Sequence, residues 1–447
     1  MKKQSPSSIF FLVLILFLIG GWQKVSAAEG DLIWSQFNPA MYNALYDITV
    51  DNSGLYVAGY DYSSGNAQWV VEKRGLIDGI LIWHKSPGLY YGIAYSITID
   101  NSGVYVAGVQ SDGAVSNWRI EKRRLDNGEL TSSSWPKIVN SSTGNNAAYS
   151  LTIDNSGIYI AGYTSDPGTS QNQWLIEKRS TDDGSLIWPQ VSITTGGYSK
   201  ATSITIDAQD VYIFGYQVSS GAASWKIEKR RLDNGELTSS SWPKVTNSAH
   251  ALDIVSGITI DSTGIYVAEY GPSIKIEKRS KNDGALIWTQ PSSGIVPYDI
   301  NLDNSGVYVV GQDSVSSSWR IEKRRLDNGE LTSSSWPKFN SEYGVANSIS
   351  KDNSGIYIAG YSTNPFDTTQ DRWLIEKREI YIDCGLRFKT SALNMPFACE
   401  PNGNLSSPFR IKKDATTYGI VLVEITDPKA SPIRIWTSSG VKALRKF

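Results

Sequence analysis

Tyr60, Tyr163, Tyr216, Tyr270 and Tyr361 occupy one register of a sequence that repeats along this chain, and four of the five directly follow a glycine. Tyr90, Tyr91, Tyr198 and Tyr343 fall in neighbouring connections. A phenol ring offers a flat apolar face and a hydrogen-bonding tip, which suits the faces and hydroxyls of a sugar or the side chains of a protein partner. A tyrosine that closes a strand also has a packing role, and register alone does not separate the two. Asp61, Asp112, Asp166, Asp313 and Asp367 lie close by in sequence and are candidate Ca2+ ligands. None belongs to a D-x-D-x-D-G run, so the spacing predicts isolated, solvated carboxylates. Paired carboxylates can also cleave a glycosidic bond, a chemistry decided by their separation in space.

Other chemistries are excluded more firmly. His84 and His250 are the only histidines, which rules out a multi-histidine metal site and argues against a Ser-His-Asp triad. No glycine-rich phosphate loop is present. The 44 acidic and 42 basic residues nearly cancel and alternate closely, leaving no electrostatic footprint for nucleic acid.

The tyrosines are set in place by a unit that recurs seven times. It reads x-I-T-I-D-N-S-G-x-Y-V-A-G-Y, then a variable stretch, then W-x-I-E-K-R, then x-D-G-x-L-I-W. Its turns begin at Asp51, Asp100, Asp154, Asp207, Asp261, Asp303 and Asp352, spaced by 42 to 54 residues. That period, with several short strands per unit, predicts an all-β, seven-bladed β-propeller. In the second unit, strand A is Ile97–Ile99, Asp100–Gly103 turns the chain, strand B is Val104–Gly108 and strand C is Trp118–Arg123. Strand D is expected to end in Trp83, Trp135, Trp188, Trp242, Trp288 or Trp336.

Six such tryptophans serve seven units, because the seventh unit runs from Glu376-Lys377-Arg378 straight into Glu379-Ile380-Tyr381. The missing piece stands at the other end of the chain, as Gly30-Asp31-Leu32-Ile33-Trp34. We therefore expect the N-terminal strand to complete the last blade and close the ring, which removes the edges an open array would expose. Arg124–Lys137 recurs unchanged at 231–244 and 325–338, so units two, four and six carry a long C–D connection and the others a short one.

Chain direction places the A–B and C–D turns at one end of each blade and the B–C and D–A loops at the other. The first set hardly varies between units, whereas the second ranges from Tyr270–Ser273 to Tyr361–Arg372. The variable end is the expected recognition face, against the plainer reading that unpacked loops drift. The thirteen repeat tryptophans are expected to pack blade on blade. The seven Glu-Lys-Arg triplets, from Glu72 to Arg74 through Glu376 to Arg378, are expected to pair within or across blades. Unit five departs twice, with Glu269 in place of the strand-B glycine and Ile274 in place of the strand-C tryptophan.

Residues 1–27 read as a signal peptide: Lys2 and Lys3 precede the apolar run Ile9–Ile19, and Val25-Ser26-Ala27 supplies small residues at the cut. The run is too short to span a bilayer, and an uncleaved anchor extended by Gly20-Gly21-Trp22 is the alternative. The propeller then covers residues 28–378, and 379–447 form a small β-rich C-terminal domain. It holds the only cysteines, Cys384 and Cys399, expected to form a disulfide in an exported chain. Its basic end, Arg434 to Lys446, is expected to be a solvated tail.

The stretch from Gly-x-Tyr-Val-Ala-Gly through Asp-Gly-x-Leu-Ile-Trp resembles the quinoprotein-type (PQQ-like) propeller repeat, in which a strand-D tryptophan locks neighbouring blades. The resemblance covers about 350 residues. It implies a superfamily that holds quinone-dependent dehydrogenases and noncatalytic assembly scaffolds. The dehydrogenases carry a calcium-bound quinone, usually on eight blades, and many have an adjacent-cysteine disulfide. No two cysteines are adjacent here, and no unit shows a Glu/Asn/Asp cluster of the kind that holds the metal and base, so no catalytic residue is carried over. The expectation is a secreted, monomeric, noncatalytic propeller without a resident cofactor. It would bind a protein or polysaccharide at the cell envelope, with no membrane span after signal cleavage. A quinone- or metal-dependent enzyme, or a carbohydrate-active propeller enzyme, is the alternative.

Overall fold

Each unit folds as an antiparallel meander because the aspartate that opens its A–B turn ties that turn itself. In the first unit Asp51 Oδ1 accepts from the amides of Ser53 and Gly54 at 2.7 and 3.1 Å. Ser53 Oγ then lies 3.0 Å from the hydroxyl of Tyr56, a strand-B residue whose ring is fully buried. Five more units repeat this arrangement around Tyr105, Tyr159, Tyr266, Tyr308 and Tyr357. In unit four, which has Gln209 and Asp210 in place of Ser and Gly, the hydroxyl of Tyr212 instead donates to Asp207 itself at 3.1 Å. Side-chain oxygens that cap a turn from within leave little freedom in its geometry.

The structure, a computed structural model, describes residues 29–380 apart from 39–42, 63, 141–143, 166–170, 193–196, 220–221, 248–253, 271–273, 293 and 365–366. Beyond 381 it describes six strands between 382 and 443. The described residues form strands and turns, and no helix among them is long and apolar enough to cross a membrane.

Blades 1 to 5 are separate four-stranded sheets, paired in chain order, spanning 44–85, 91–139, 147–192, 199–247 and 254–291. Blades 6 and 7 share one strand, Lys338–Asp352. Its start pairs with strand C of blade 6 (Ile321↔Lys338) and its second half with strand B of blade 7 (Asp352↔Gly355). The A strands adjoin one another in succession, and that of blade 7 meets that of blade 1 (Ala44–Asp51), so the ring is closed and the A strands surround its axis.

Closure uses the chain's own beginning. Strand Leu32–Phe37 lies antiparallel to strand C of blade 7, with Leu32 opposite Arg378 and Phe37 opposite Leu374. Gly30 donates to the carbonyl of Glu379 and Glu379 to that of Asp31, each at 2.9 Å. Gly30 has φ +81°, as its counterparts Gly79, Gly128, Gly184, Gly235, Gly284 and Gly329 also lie between +69° and +74°, a region open to glycine at little cost.

The Glu-Lys-Arg triplets divide their work. Arg74 Nε meets Glu72 at 2.7 Å within its own strand, and Arg74 Nη1 donates to the carbonyl of Gly79 at 2.9 Å in its own C–D turn. The lysine between them crosses to the next blade. Lys73 Nζ reaches the carbonyl of Leu125, Lys122 that of Thr181, Lys178 that of Leu232, Lys229 that of Lys281 and Lys278 that of Leu326. Lys323 reaches Glu29 on the closing segment, and Lys377 returns to Leu76 of blade 1.

The tryptophans pack as expected. Strand-C residues Trp69, Trp118, Trp174, Trp225 and Trp319 are fully buried between blades. Strand D does not end in its tryptophan, however. Trp83, Trp188 and Trp288 lie inside strands Leu81–Lys85, Leu186–Ser192 and Leu286–Pro291. Trp135, Trp242 and Trp336 precede their strands altogether, because the long connection, pinned by bridges such as Arg123↔Leu130, takes up the space alongside strand C.

The C-terminal strands form a six-stranded antiparallel sheet in chain order. Cys384 and Cys399 fall on its first two strands, Ile382–Lys389 and Asn394–Cys399. Their side chains lie outside the described residues, as do residues 1–28 and the expected signal peptide.

Candidate functional site

Every A strand carries a β-bulge at the same place: Tyr46, Tyr95, Tyr149, Thr202, Ser256, Tyr298 and Asn347 are the bulged residues. A bulge adds a residue without a partner and re-aims its side chain. It also drives the A-strand backbone against strand B. A Cβ on Gly59 would stand 2.1 Å from the carbonyl oxygen of Ala44, which is why a glycine precedes Tyr60.

The bulged tyrosines of blades 1 to 3 meet around the axis, with ring centroids 5.1 Å apart for Tyr46 and Tyr95 and 5.0 Å for Tyr95 and Tyr149. The strand-B tyrosines close on them from outside: Tyr60 is 6.0 Å from Tyr46, and Tyr163 is stacked 5.9 Å from Tyr149. Tyr91 joins the same cluster with Ala67, Ile93, Val109 and Ala147. Between blades 1 and 2 this surface opens into a cleft of about 460 Å³ lined by Tyr46, Tyr60, Tyr62, Ala67, Tyr91 and Ile93. Small-ligand sites run from about 300 to 1,000 Å³.

Of the tyrosines singled out in the sequence, Tyr60, Tyr91 and Tyr163 are therefore brought together. Tyr216 and Tyr361 stand at the flanks of the same basin, the first near Tyr163 and Lys200, the second near Tyr60 and Tyr298. Packing claims part of them as well: Trp118 donates to the carbonyl of Tyr163, Trp174 to that of Tyr216 and Trp319 to that of Tyr361, at 2.8 to 3.0 Å. Tyr90 stands apart, 62% exposed and outside the cleft lining. Tyr270 ends strand B of blade 5, and its side chain lies outside the described residues.

Tyr46, Tyr62, Tyr95, Tyr149 and Lys200 escaped the sequence reading. The signal of Tyr46, Tyr95 and Tyr149 was a tyrosine just before the Asp or Ser of Tyr46-Asp47-Ile48-Thr49, Tyr95-Ser96-Ile97-Thr98 and Tyr149-Ser150-Leu151-Thr152. The bulge breaks strict alternation there, so the apolar pattern begins one residue late. Lys200 stands where the other six units carry Ala44, Ile93, Ala147, Ile254, Val296 and Val345. Its ammonium lies 3.1 Å from the hydroxyl of Tyr149 and 4.9 Å from the ring centroid of Tyr163.

Burial raises the phenol pKa values of Tyr60, Tyr91, Tyr163 and Tyr216, and lifts those of Tyr149 and Tyr361 to about 12. The rings are neutral at physiological pH and keep their hydroxyl hydrogens for donation.

One residue past the bulge, the blades are stitched to each other. Asp47 Oδ2 accepts from the amide of Ile97, Ser96 Oγ from Leu151, Ser150 Oγ from Ile204, Ser203 Oγ from Ile258, and Asp299 Oδ2 from Ile349, at 2.8 to 3.3 Å. Ser348 Oγ stands 2.7 Å from Asp47 Oδ1 and 3.1 Å from Asp299 Oδ2. Desolvation raises both carboxyl pKa values, that of Asp299 to about 7, with the charge of Asp47 adding to the effect.

Of the B–C loop acids, Asp112 and Asp313 have turn duties, Asp61 ends strand B of blade 1, and Asp166 and the side chain of Asp367 lie outside the described residues. Asp112 Oδ1 accepts from the amide of Ala114. Asp313 accepts from Val315 and Ser316 and pairs with Arg320, which together hold its carboxyl down at about 2 against the opposing effect of desolvation. Among the described residues no three His, Cys, Asp or Glu side chains gather as a metal-holding group.

No family model matches this chain, and no curated protein matches it. Among solved structures it is similar to BamB from Moraxella catarrhalis, at 11% identity over 78% of this chain and 99% of that one, with a TM-score of 0.43. It is also similar to the computationally designed Ika8 protein, at 8% identity over 79% of this chain and 100% of that one, with a TM-score of 0.44. Neither likeness bears on function; the propeller architecture stands on the strand pairing itself.

Proposed function

We propose that this chain is a noncatalytic recognition propeller with a quinoprotein-type repeat, exported to the cell envelope or beyond as a monomer. It takes a polysaccharide into the tyrosine-lined mouth at its B–C/D–A end. The observation that carries the reading is a division of labour among tyrosines. The seven strand-B tyrosines such as Tyr56 and Tyr105 are fully buried and spend their hydroxyls on the turns. Tyr60 and Tyr91 line the cleft, and among the described residues their hydroxyls have no hydrogen-bond partner and are not sealed from solvent. Rings presented with open hydroxyls suit a guest that has both CH faces and hydroxyls.

The axial carboxylates favour this reading over an enzyme. The four oxygens of Asp47 and Asp299 each accept from a main-chain amide, and serine hydroxyls approach three of them. Ser96, Ser150 and Ser203 make the same blade-to-blade bond in units that lack the acid. An acid doing its sibling serine's work has a structural explanation.

The test is a screen of the mature protein, starting at Ala28, against glycans and cell-wall polymers, with and without Ca2+. A hit weakened at least tenfold by Tyr60→Ala and by Tyr91→Ala, but not by Tyr90→Ala, is the expected result. A hit indifferent to both cleft variants, or capture of proteins with no glycan bound, would overturn it.

A further inference from the structure

We propose that Lys200 makes this mouth selective for a guest that carries a carboxylate on a sugar ring, an acidic polysaccharide of the uronic acid type. The inference rests on the reading of the tyrosine basin as a glycan site and deepens it. Its observations concern charge, and they are separate from those on the rings.

The first is a departure from the repeat. Six units put an aliphatic side chain at this register, so the fold does not need a lysine there. The second is the lack of a counter-charge. Several other cations of the blades have carboxylate partners: Arg119 has Glu121, Lys226 has Glu228, Lys275 has Glu269 and Glu277, Arg320 has Asp313 and Glu322, and Arg372 has Glu342. Strap lysines such as Lys122 and Lys178 instead spend their ammonium groups on carbonyls of the next blade. Lys200, among the described residues, forms no ion pair. Its contacts are the hydroxyl of Tyr149 and the rings of Tyr149 and Tyr163, 5.4 and 4.9 Å from its Nζ.

A half-buried ammonium held by the Tyr149 hydroxyl and lying near the ring of Tyr163 keeps N–H donors for an incoming anion. Aromatic surroundings make such a pairing stronger than at an open surface, because the site excludes part of the water that would screen it. The neighbours decide what bears the anion. Tyr149 carries the ammonium and Tyr216 stands beside it, both partly exposed, so a guest there meets ring faces within reach of the charge. A uronic acid residue joins a stackable pyranose to a carboxylate. A polyol phosphate chain has the charge but no ring to stack.

The experiment compares polygalacturonate with its methyl ester, the same sugar chain without the charge, on the wild type and on Lys200→Met. The variant restores the aliphatic character of the six sibling units and should fold as the wild type does. We expect the wild type to bind the acid at least tenfold tighter than the ester, and Lys200→Met to bind both equally, at the wild type's ester affinity. Equal binding of acid and ester by the wild type would overturn the role of Lys200 while leaving the tyrosine site standing. A preference that persists in Lys200→Met would do the same. Failure of the wild type to bind either polymer would overturn the uronic acid guest while leaving the tyrosine site to the wider glycan screen, and equal affinity for polyglutamate would reassign the mouth to acidic peptides and overturn the sugar.

Discussion

Arg378 donates from Nη1 to the carbonyl of Gly30 at 2.9 Å, joining residues 348 positions apart in sequence. In six other blades the same bond spans five residues, as from Arg74 to Gly79 or Arg324 to Gly329. Gly30 thus stands in a C–D turn whose two halves lie far apart in the sequence, and the ring's last blade has its fourth strand only when they meet.

Loss of the clasp should therefore be felt across the whole ring. Trp34 is partly buried against the cluster of Leu45, Ile48, Trp373 and Ile375, with its ring 6.5 Å from that of Tyr357. Trp34→Ala should cost about 2–4 kcal/mol, somewhat less than a fully buried tryptophan would. Removal of residues 28–34 should open blade 7. Urea unfolding measures both, and an unchanged midpoint for either variant would refute the closure.

Blade-to-blade bonding by the strand-C tryptophans gives a second expectation. Trp118 is fully buried, and its indole donates to the carbonyl of Tyr163 at 3.0 Å. Trp118→Phe keeps an aromatic ring but removes the donor and leaves a buried acceptor without it, at a cost of about 1–3 kcal/mol. Trp135, whose indole has no such partner, should lose less in the same exchange relative to its burial. A larger loss for Trp135→Phe than for Trp118→Phe, read from denaturant midpoints, would show that the hydrogen bond does not matter.

The axis should respond to pH. Ser348 has one hydroxyl hydrogen and faces two carboxylates, so both contacts are hydrogen bonds only if one acid holds a proton. Asp299 is the candidate, its folded pKa raised from 3.8 to about 7, and the titratable group that faces it is Asp47. A carboxyl that binds its proton more tightly when folded stabilises the fold fully below the unfolded value. That contribution is lost as pH rises through the folded one. Stability should thus fall by roughly 2–4 kcal/mol between about pH 4 and pH 7. Asp299→Ser, the residue that siblings use for the same bond, should flatten that slope. Melting temperatures across this window decide it, and a wild-type slope retained in Asp299→Ser would place the proton elsewhere.

The cysteine pair can be checked by mass. Alkylation of exported protein should add nothing to Cys384 or Cys399 without reductant and should label both with it. Closing that short loop is worth roughly 3 kcal/mol in the chain-entropy model. Two labelled thiols before reduction would dismiss the bond.

Much of the fold was legible because its causes are local. Asp51, Ser53 and Gly54 tie their own turn, and Glu72 and Arg74 pair two residues apart, so each copy of the unit announces its strands. The clasp was legible for a countable reason: six strand-D tryptophans followed seven triplets, and the missing one stood at Gly30–Trp34. The position of strand D was misread, because Trp135-Pro136 closes a long connection and the strand, Lys137–Val139, begins only after it.

The chain by itself determined the number of blades, their turns, the closing strand and the end of the molecule where tyrosines accumulate, all properties of a repeat whose hydrogen bonds stay within or next to one unit. Only the tertiary structure decided what stands at the axis. Asp47, Asp299 and Ser348 come from three blades and meet around one hydroxyl, and no spacing in the sequence marks that meeting. Tyr46, Tyr95 and Tyr149 reach the mouth through a bulge, a single extra residue that shifts the side-chain period and hides them from an alternation pattern. Lys200 gains its meaning only from the packing of blade 4 on blade 3, which brings rings of both around an ammonium that, among the described residues, forms no ion pair.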